Sequence, residues 1–500
     1  MRTVFIYTLG KAYLGINGLF SNILTMLSLT ELGLDIAINY KLYKPLADGD
    51  EKRVRLLMKF YKNAYRIVGT AVFVLGLCLI PFLPALIKDY DSLAVLGVNA
   101  TLIFILHVLQ SASSYFFFAY RSAILKADQR PYIIDIASIF TVILTDIVKI
   151  VVLVAWKDFV LYTATHIVSS VFQNMVNAIL AKHYYPSVFE KDDDSLSKQE
   201  IKEMLKDCGA VFVFKLNSVV LKATDNIVIS AFIGLEAVGV YSNYLLFFTT
   251  LRTLFNRVYA AVKASLGNLF AVESIEKKYR FFQIMNYVTI LLFGTTGIGL
   301  AVCADEFIQV WIGQDYVLPQ PFAILIGIEL LFHGLKVNLS QIRNVSGIFR
   351  QLWFRPVLGV IINIGVSIGL VFVCGIYGVI IGTITADLLT AFLVDPKVVH
   401  KYAFDNYQPV SAYYKKNLLY FIILIGIGFV DMWICRHVLI DYGWVSVIVH
   451  ILIVSITVPG ILTLIFWKTP ENRYLISTGR KMMIRIIKKT KILQNRQSKL

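Results

Sequence analysis

Apolar blocks roughly twenty residues long, parted by short polar links, recur from one end of this sequence to the other. A helix of that length crosses the ~30 Å hydrocarbon layer of a bilayer, and in lipid it satisfies its own backbone hydrogen bonds. Few other folds are open to such a chain. Candidate spans lie near 14–40, 64–87, 93–119, 132–155, 159–181, 209–233, 237–262, 281–302, 317–340, 356–374, 376–394, 417–435 and 443–467, 13 in all. Composition excludes a soluble domain: 57% of residues are hydrophobic, 16% are charged, and the mean hydropathy is +0.70.

Charge sets the orientation. Most of the 48 Lys and Arg fall in alternate links, at 41–66, 121–130, 182–206, 252–280, 336–355, 397–416 and the tail from Lys468. By the positive-inside rule these links and the C-terminus are cytoplasmic. The net charge of +16 is therefore a topological signal, and no nucleic-acid partner is expected. The five cysteines are scattered, with no CxxC or His/Cys cluster, so neither a disulfide framework, a metal nor a cofactor is expected. No cleavable signal sequence is expected at Met1-Arg2. Two basic amphipathic stretches, Asp48 to Arg66 and the tail from Gly479, read as helices lying on the inner membrane surface.

A motif returns once. Gly10-Lys-Ala-Tyr-Leu-Gly15 is followed by Ser21-Asn22, and 224 positions later Gly234-Leu-Glu-Ala-Val-Gly239 is followed by Ser242-Asn243. A period this long suggests two related halves. In the second half the apolar segment 209–233 leads into Gly234, whereas only nine residues precede Gly10. The chain is accordingly expected to begin inside its first helix, with 14 helices in the complete bundle.

Polar stripes mark corresponding places in the halves. Asn17, Ser21, Thr25, Ser28, Glu31, Asp35 and Asn39 fall on one helical face. A second stripe carries Lys215, Ser218, Lys222 and Asp225, and the next span carries Ser242, Thr249, Arg252, Asn256 and Arg257. Span 132–155 adds Asp146 and Lys149, close enough to pair. Such stripes face water or other helices, so two bundles around a central polar cavity are expected. Lys149, Lys215, Lys222 and Arg252 are its candidate cations, and Glu31, Asp35, Asp146 and Asp225 its candidate coupling carboxylates. The plainer alternatives are an intrahelical Lys222–Asp225 pair, a snorkelling Lys215 and an anchoring Arg252. Asp387 and the Glu329/His333 pair are further coupling candidates for which a structural role is the leading expectation, and His107, His166 and His450 are expected to be packed within helices.

The stretch from Arg2-Thr-Val-Phe-Ile-Tyr through Asn22, with Leu29-Thr-Glu-Leu-Gly33 and Tyr43-Lys-Pro-Leu-Ala47, resembles the polysaccharide repeat-unit flippases of the multidrug, oligosaccharidyl-lipid and polysaccharide exporter superfamily. So do Thr224-Asp-Asn-Ile-Val-Ile-Ser-Ala-Phe-Ile-Gly234 and Ala264-Ser-Leu-Gly-Asn268. The resemblance implies an all-α integral membrane protein with two pseudo-symmetric six-helix lobes, two further C-terminal helices, and alternating access. The expected divisions are an N-terminal lobe at 1–181, a cytoplasmic link at 182–208, a C-terminal lobe at 209–394, two extra helices at 395–467 and a basic tail at 468–500. The implied substrate is polyprenyl-diphosphate-linked oligosaccharide, moved from the inner to the outer leaflet of a bacterial plasma membrane for exopolysaccharide or capsule synthesis. Membrane lipids, a polymerase and glycosyltransferases are the expected partners, for a monomeric transporter.

No G-x4-GK[ST] occurs, so energy is expected from an ion gradient instead of a Walker site. A drug–cation antiporter of the same superfamily would want an acidic cavity, whereas these charges are mixed. A membrane glycosyltransferase or polymerase would need sizeable outer loops with acid and base residues, and the outer links here are short. The chain is accordingly expected not to be an enzyme.

Overall fold

The structure is a computed structural model and describes residues 1–28, 38, 41–88, 90, 93, 99–128, 130–190, 194, 196–202, 204, 223–348, 350–438 and 443–481. Among the described residues the regular structure is entirely helical. The principal helices are α1 (Arg2–Leu9), α2 (Lys11–Leu27), α3 (Glu51–Leu79), α4 (Ala100–Phe116), α5 (Pro131–Trp156), α6 (Phe159–Tyr184) and α7 (Leu235–Val272). They continue as α8 (Ile275–Ile312), α9 (Pro321–Val345), α10 (Arg355–Cys374), α11 (Ile376–Asp387), α12 (Asp395–Ala403), α13 (Val410–His437) and α14 (Trp444–Ile465).

Eight helical segments among the described residues are long and apolar enough to cross a membrane, or nine when the bent pair Ala100–Phe116 and Ala119–Ala127 is one span. The expected spans 14–40 and 209–233 run into residues outside the description. Spans 159–181 and 237–262 are helical, but their hydroxyl, amide and charged residues dilute the apolar character that marks the others. The chain is a multi-pass membrane protein.

By contacts the chain divides into two units, Met1–Ser242 with Ile364–Val379, and Asn243–Asn363 with Ile380–Leu500. In the first unit the repeated glycines meet. A Cβ on Gly15 would stand 1.9 Å from the Leu235 carbonyl oxygen, and one on Gly239 would stand 2.3 Å from that of Lys11. Lys11 and Leu235 occupy the same place in the two motifs, so the crossing of α2 with the start of α7 is locally two-fold. Each motif opens on a glycine at positive φ, 86° at Gly10 and 130° at Gly234, where other residues are strained. Lys11 Nζ and Glu236 Oε2 pair at 3.0 Å across the crossing, both well exposed, a contact worth less than about 1 kcal/mol. The Ser-Asn pairs do not share the symmetry: Ser242 accepts from the Arg2 guanidinium at 2.5 Å, whereas Ser21 is exposed.

The stretch 51–66 corrects an expectation. It is not a separate surface helix but the first half of α3, continuous with the span. Its apolar face, Val54, Leu57, Met58, Tyr61 and Tyr65, is buried in one cluster with Ile124, Leu125, Ala181 and Val188. At 29 residues α3 is ~43 Å long, longer than the hydrocarbon layer, so its basic half extends past it.

The link after α6 is clamped to this half of α3. Arg53 Nη2 lies 2.6 Å from Glu200 Oε1, Lys52 Nζ lies 2.6 Å from Asp194 Oδ2, and Lys59 Nζ donates to the Asp194 carbonyl at 2.8 Å. Ser197 and Glu200 form a capping box, with Ser197 Oγ accepting from the Glu200 amide and Glu200 Oε2 accepting from Ser197. The hydrogen bonds from Ser197, then Arg53, lower the Glu200 carboxyl from 4.5 to about 2. Because its folded value is depressed, the clamp is at full strength above the ordinary carboxylate range and is lost as pH falls through about 2. Limited proteolysis of the link should therefore rise between about pH 4.5 and 2, and Glu200→Gln should reduce that dependence to the part carried by the Lys52–Asp194 pair.

In the second unit α8 and α9 pack backbone to backbone. A Cβ on Gly297 would stand 2.7 Å from the Gly327 carbonyl oxygen, and one on Gly327 would stand 2.3 Å from that of Gly297. The helix α8 runs to Ile312, which shortens the expected outer link after it. At that end Tyr244 Oη donates to Asp305 Oδ1 at 2.6 Å and accepts from the Leu318 amide at 2.9 Å. At the other end of the unit, Tyr279, Phe282, Phe404 and Tyr413 enclose His400. Beside them buried Asp395 faces Arg355 at 2.9 Å and Arg343 at 3.9 Å, joining the ends of α9, α10 and α12.

Candidate functional site

Among the described residues, two groups of charges inside the apolar helices stand out, each within one unit. In the first unit α5 presents Asp146 and Lys149 on one face, and they pair at 3.5 Å, as their i,i+3 spacing predicts. Lys149 is buried, while Asp146 is about one-third exposed. Tyr162 on α6 interacts electrostatically with Asp146 and with Arg2, and His166, one turn on, interacts with Lys149. The Tyr162 and His166 rings meet edge to face at 4.7 Å. Arg2 on α1 and Tyr162 and His166 on α6 thus lie in the same electrostatic neighbourhood as the Asp146–Lys149 pair.

Asp225 is also in this unit and is buried, with Tyr241 Oη donating to its Oδ2 at 3.2 Å. Of the other expected site residues, Glu31, Asp35, Lys215 and Lys222 lie outside the described residues.

Arg252 belongs to the second unit. Its guanidinium interacts electrostatically with Glu329 on α9 and with Asp387 at the end of α11. Lys336, seven residues beyond Glu329, places Nζ 2.6 Å from Asp387 Oδ1. Two cations and two carboxylates from three helices are therefore gathered where a single buried charge would be costly in lipid. A π-helical turn, Leu388–Phe392, follows Asp387 directly. Next to Arg252 on α7, Thr249, Thr250, Thr253 and Arg257 line a hollow of about 360 Å³. The sequence singles out Arg252 by its stripe, and Glu329 and Asp387 as secondary coupling candidates expected first to be structural. It marks Lys336 only as the end of the run Glu329-x3-His333-x2-Lys336, and not its pairing with Asp387, 51 residues away.

A third feature of the second unit is an apolar groove of about 840 Å³ walled by α8, α9, the π-helical turn and α13. Gly297, Gly327 and Gly428 leave room in its floor, and Phe332, Phe392 and Phe421 form one wall with ring centroids 5.4–6.0 Å apart. Leu418, Ile425 and Phe429 on its rim are exposed, as lipid-facing side chains are. The charged residue on its lining is Lys415, near the start of α13.

Two pairs on the C-terminal helices escape sequence reasoning. His450, expected to be merely packed, places Nδ1 2.7 Å from Glu306 Oε2, and buried Asp431 accepts from Thr457 Oγ1 at 2.9 Å. Each joins residues on different helices, which no local periodicity reports. His107 is packed as expected, with Nδ1 on the Ile103 carbonyl at 2.9 Å.

The family described as polysaccharide biosynthesis protein matches residues 59–321. No curated protein matches the chain in sequence. Among solved structures, the lipid II flippase MurJ in an inward closed conformation is similar over 95% of this chain and 96% of its own, with a TM-score of 0.65 and 14% identity. A multidrug resistance MATE family transporter of the MOP superfamily, in an inward-facing conformation, is similar over 83% of this chain and 94% of its own, with a TM-score of 0.63 and 13% identity. The chain shares its fold with these two transporters. With more than half of its length matched, the chain belongs to the polysaccharide biosynthesis protein family.

Proposed function

We propose that this protein is a flippase that carries polyprenyl-diphosphate-linked oligosaccharide from the inner to the outer leaflet of a bacterial plasma membrane, by alternating access. The observation that carries this reading is the pairing, within the second unit, of a lipid-exposed apolar groove with a charge cluster on neighbouring helices. A lipid-linked sugar has two ends that need opposite solvents. Its prenyl chain fits a groove rimmed by exposed apolar side chains, whereas its diphosphate needs cations to replace lost water. Arg252 and Lys336 supply them, and Glu329 and Asp387 keep them paired when the site is empty. In the first unit Lys149 has the same relation to Asp146.

A drug–cation antiporter, whose fold is nearly as similar, calls for an acidic site open to an organic cation. Here the carboxylates nearest the groove face cations of their own. With no nucleotide motif in the sequence, the reading takes an ion gradient as the energy source. Asp146 and Asp225 are the described candidates for coupling, alongside Glu31 and Asp35.

Deleting the gene should make lipid-linked oligosaccharide accumulate in the inner leaflet, measured by its accessibility to a membrane-impermeant sugar oxidant on oriented vesicles. Re-expression should clear it. Arg252→Ala, at normal expression, should slow the clearance about tenfold, the scale of one lost charge-assisted contact. An unchanged leaflet distribution on deletion would sink the flippase reading.

A further inference from the structure

The first unit contains a polar pocket whose lining differs in chemistry from the apolar groove. The pocket, of about 440 Å³, lies between α2, α4 and α6, lined by Ser21 and Thr25 on α2 with Ser28 at its C-terminal cap, Gln110 and Ser111 on α4, and Ser170 on α6, among others. The spacing 21, 25, 28 keeps three hydroxyls on one face of α2. Ser28 Oγ and Ser111 Oγ meet at 3.2 Å and close one side, and the Asn17 amide lies 3.3 Å from His107 Nε2 on another. The hydroxyl of Thr25 donates to the Ser21 carbonyl at 2.7 Å, leaving its lone pairs to accept. Among the described residues the side chains of Ser21, Gln110 and Ser170 have no hydrogen-bond partner, so donors and acceptors remain for a guest.

No carboxylate, lysine or arginine lines this pocket. A diphosphate held here would lack a cation, and a cationic drug would lack an anion, and either would be costly to desolvate. A neutral sugar has neither need. Its hydroxyls both donate and accept, as do those of Ser, Thr and the Gln amide, and its apolar ring face can lie on Tyr115 or Leu24, which also line the pocket. The volume lies within the ~300–1,000 Å³ of small-molecule sites, with room for one or two pyranose rings.

We infer that this pocket binds the uncharged sugar end of the substrate, separately from the diphosphate. The inference rests on the flippase reading and adds the residues that select the sugar. Selection would come from the hydroxyls and amides that a bound sugar covers, because a wrong sugar leaves them covered and unpaired.

Its test is binding to the purified full chain in nanodiscs of two lipids. One is the lipid-linked oligosaccharide extracted from the deletion strain, and the other is bare undecaprenyl diphosphate. Ser111→Leu and Gln110→Leu should each weaken the sugar-bearing lipid about tenfold and leave the bare lipid unchanged, which also shows that the variants are folded. Ser21→Leu, at an exposed position on the opposite wall, serves if the α4 variants do not fold. Equal weakening of both lipids, or of neither, overturns the sugar pocket alone. If the unaltered chain binds neither lipid, the flippase reading falls with it.

Discussion

Gly239→Ala is expected to destabilise the protein by about 1–3 kcal/mol, while Gly267→Ala on the same helix is expected to stabilise it by about 0.5–1 kcal/mol. Both changes give α7 the same gain in helix propensity. They differ in what the new methyl meets. At Gly267 there is nothing within 4 Å, whereas at Gly239 the Lys11 carbonyl oxygen stands 2.3 Å away. That neighbour is backbone, so no rotamer change relieves the clash and α2 must move away as a whole. The local two-fold predicts a matching result for Gly15→Ala, whose methyl would meet the Leu235 carbonyl at 1.9 Å. Since both substitutions part the same pair of helices, the double variant should fall short of the sum of the singles. Thermal unfolding of the four variants in one detergent measures all of this. A stabilised Gly239→Ala would mean that α2 and α7 do not cross backbone to backbone.

The crossing explains why the repeat is legible in the bare sequence. Close approach of two helices demands glycine, and a glycine at positive φ must precede each helix, so spacing alone exposes the motif. Asp146–Lys149 is legible for a similar reason, because three residues along a helix bring side chains to one face. The start of α3 is misleading because a helix on the membrane surface and a helix running on into a span have the same apolar period. Only packing against Ile124, Leu125 and Ala181 separates them. The pairs Lys336–Asp387 and Glu306–His450 join positions 51 and 144 residues apart, and nothing short of the tertiary fold sets their distances. The hydroxyls of α2 form a visible polar stripe, but the matching set on α4 is interspersed with apolar residues, so the pocket between them has no signature.

Removing the Asp395 carboxylate should be the most damaging single change among the charged residues, at about 3–5 kcal/mol for Asp395→Ala. Its relative exposure is 1% and that of Arg355 is 7%, so the loss leaves a buried guanidinium facing Arg343 with no anion between them. The exposed Lys11–Glu236 pair sets the contrast, and Glu236→Ala should shift stability by less than about 1 kcal/mol. Geometry alone does not separate the two pairs, which lie at 2.9 and 3.0 Å; burial does. The cost of Asp395→Ala arises from the stranded charge rather than from the lost attraction. Replacing all three groups together, as Asp395→Leu with Arg343→Met and Arg355→Met, should therefore restore most of the stability. Thermal unfolding of the single and triple variants tests this directly. A triple variant as unstable as Asp395→Ala would show that the three charges hold α9, α10 and α12 together by attraction that apolar packing does not replace.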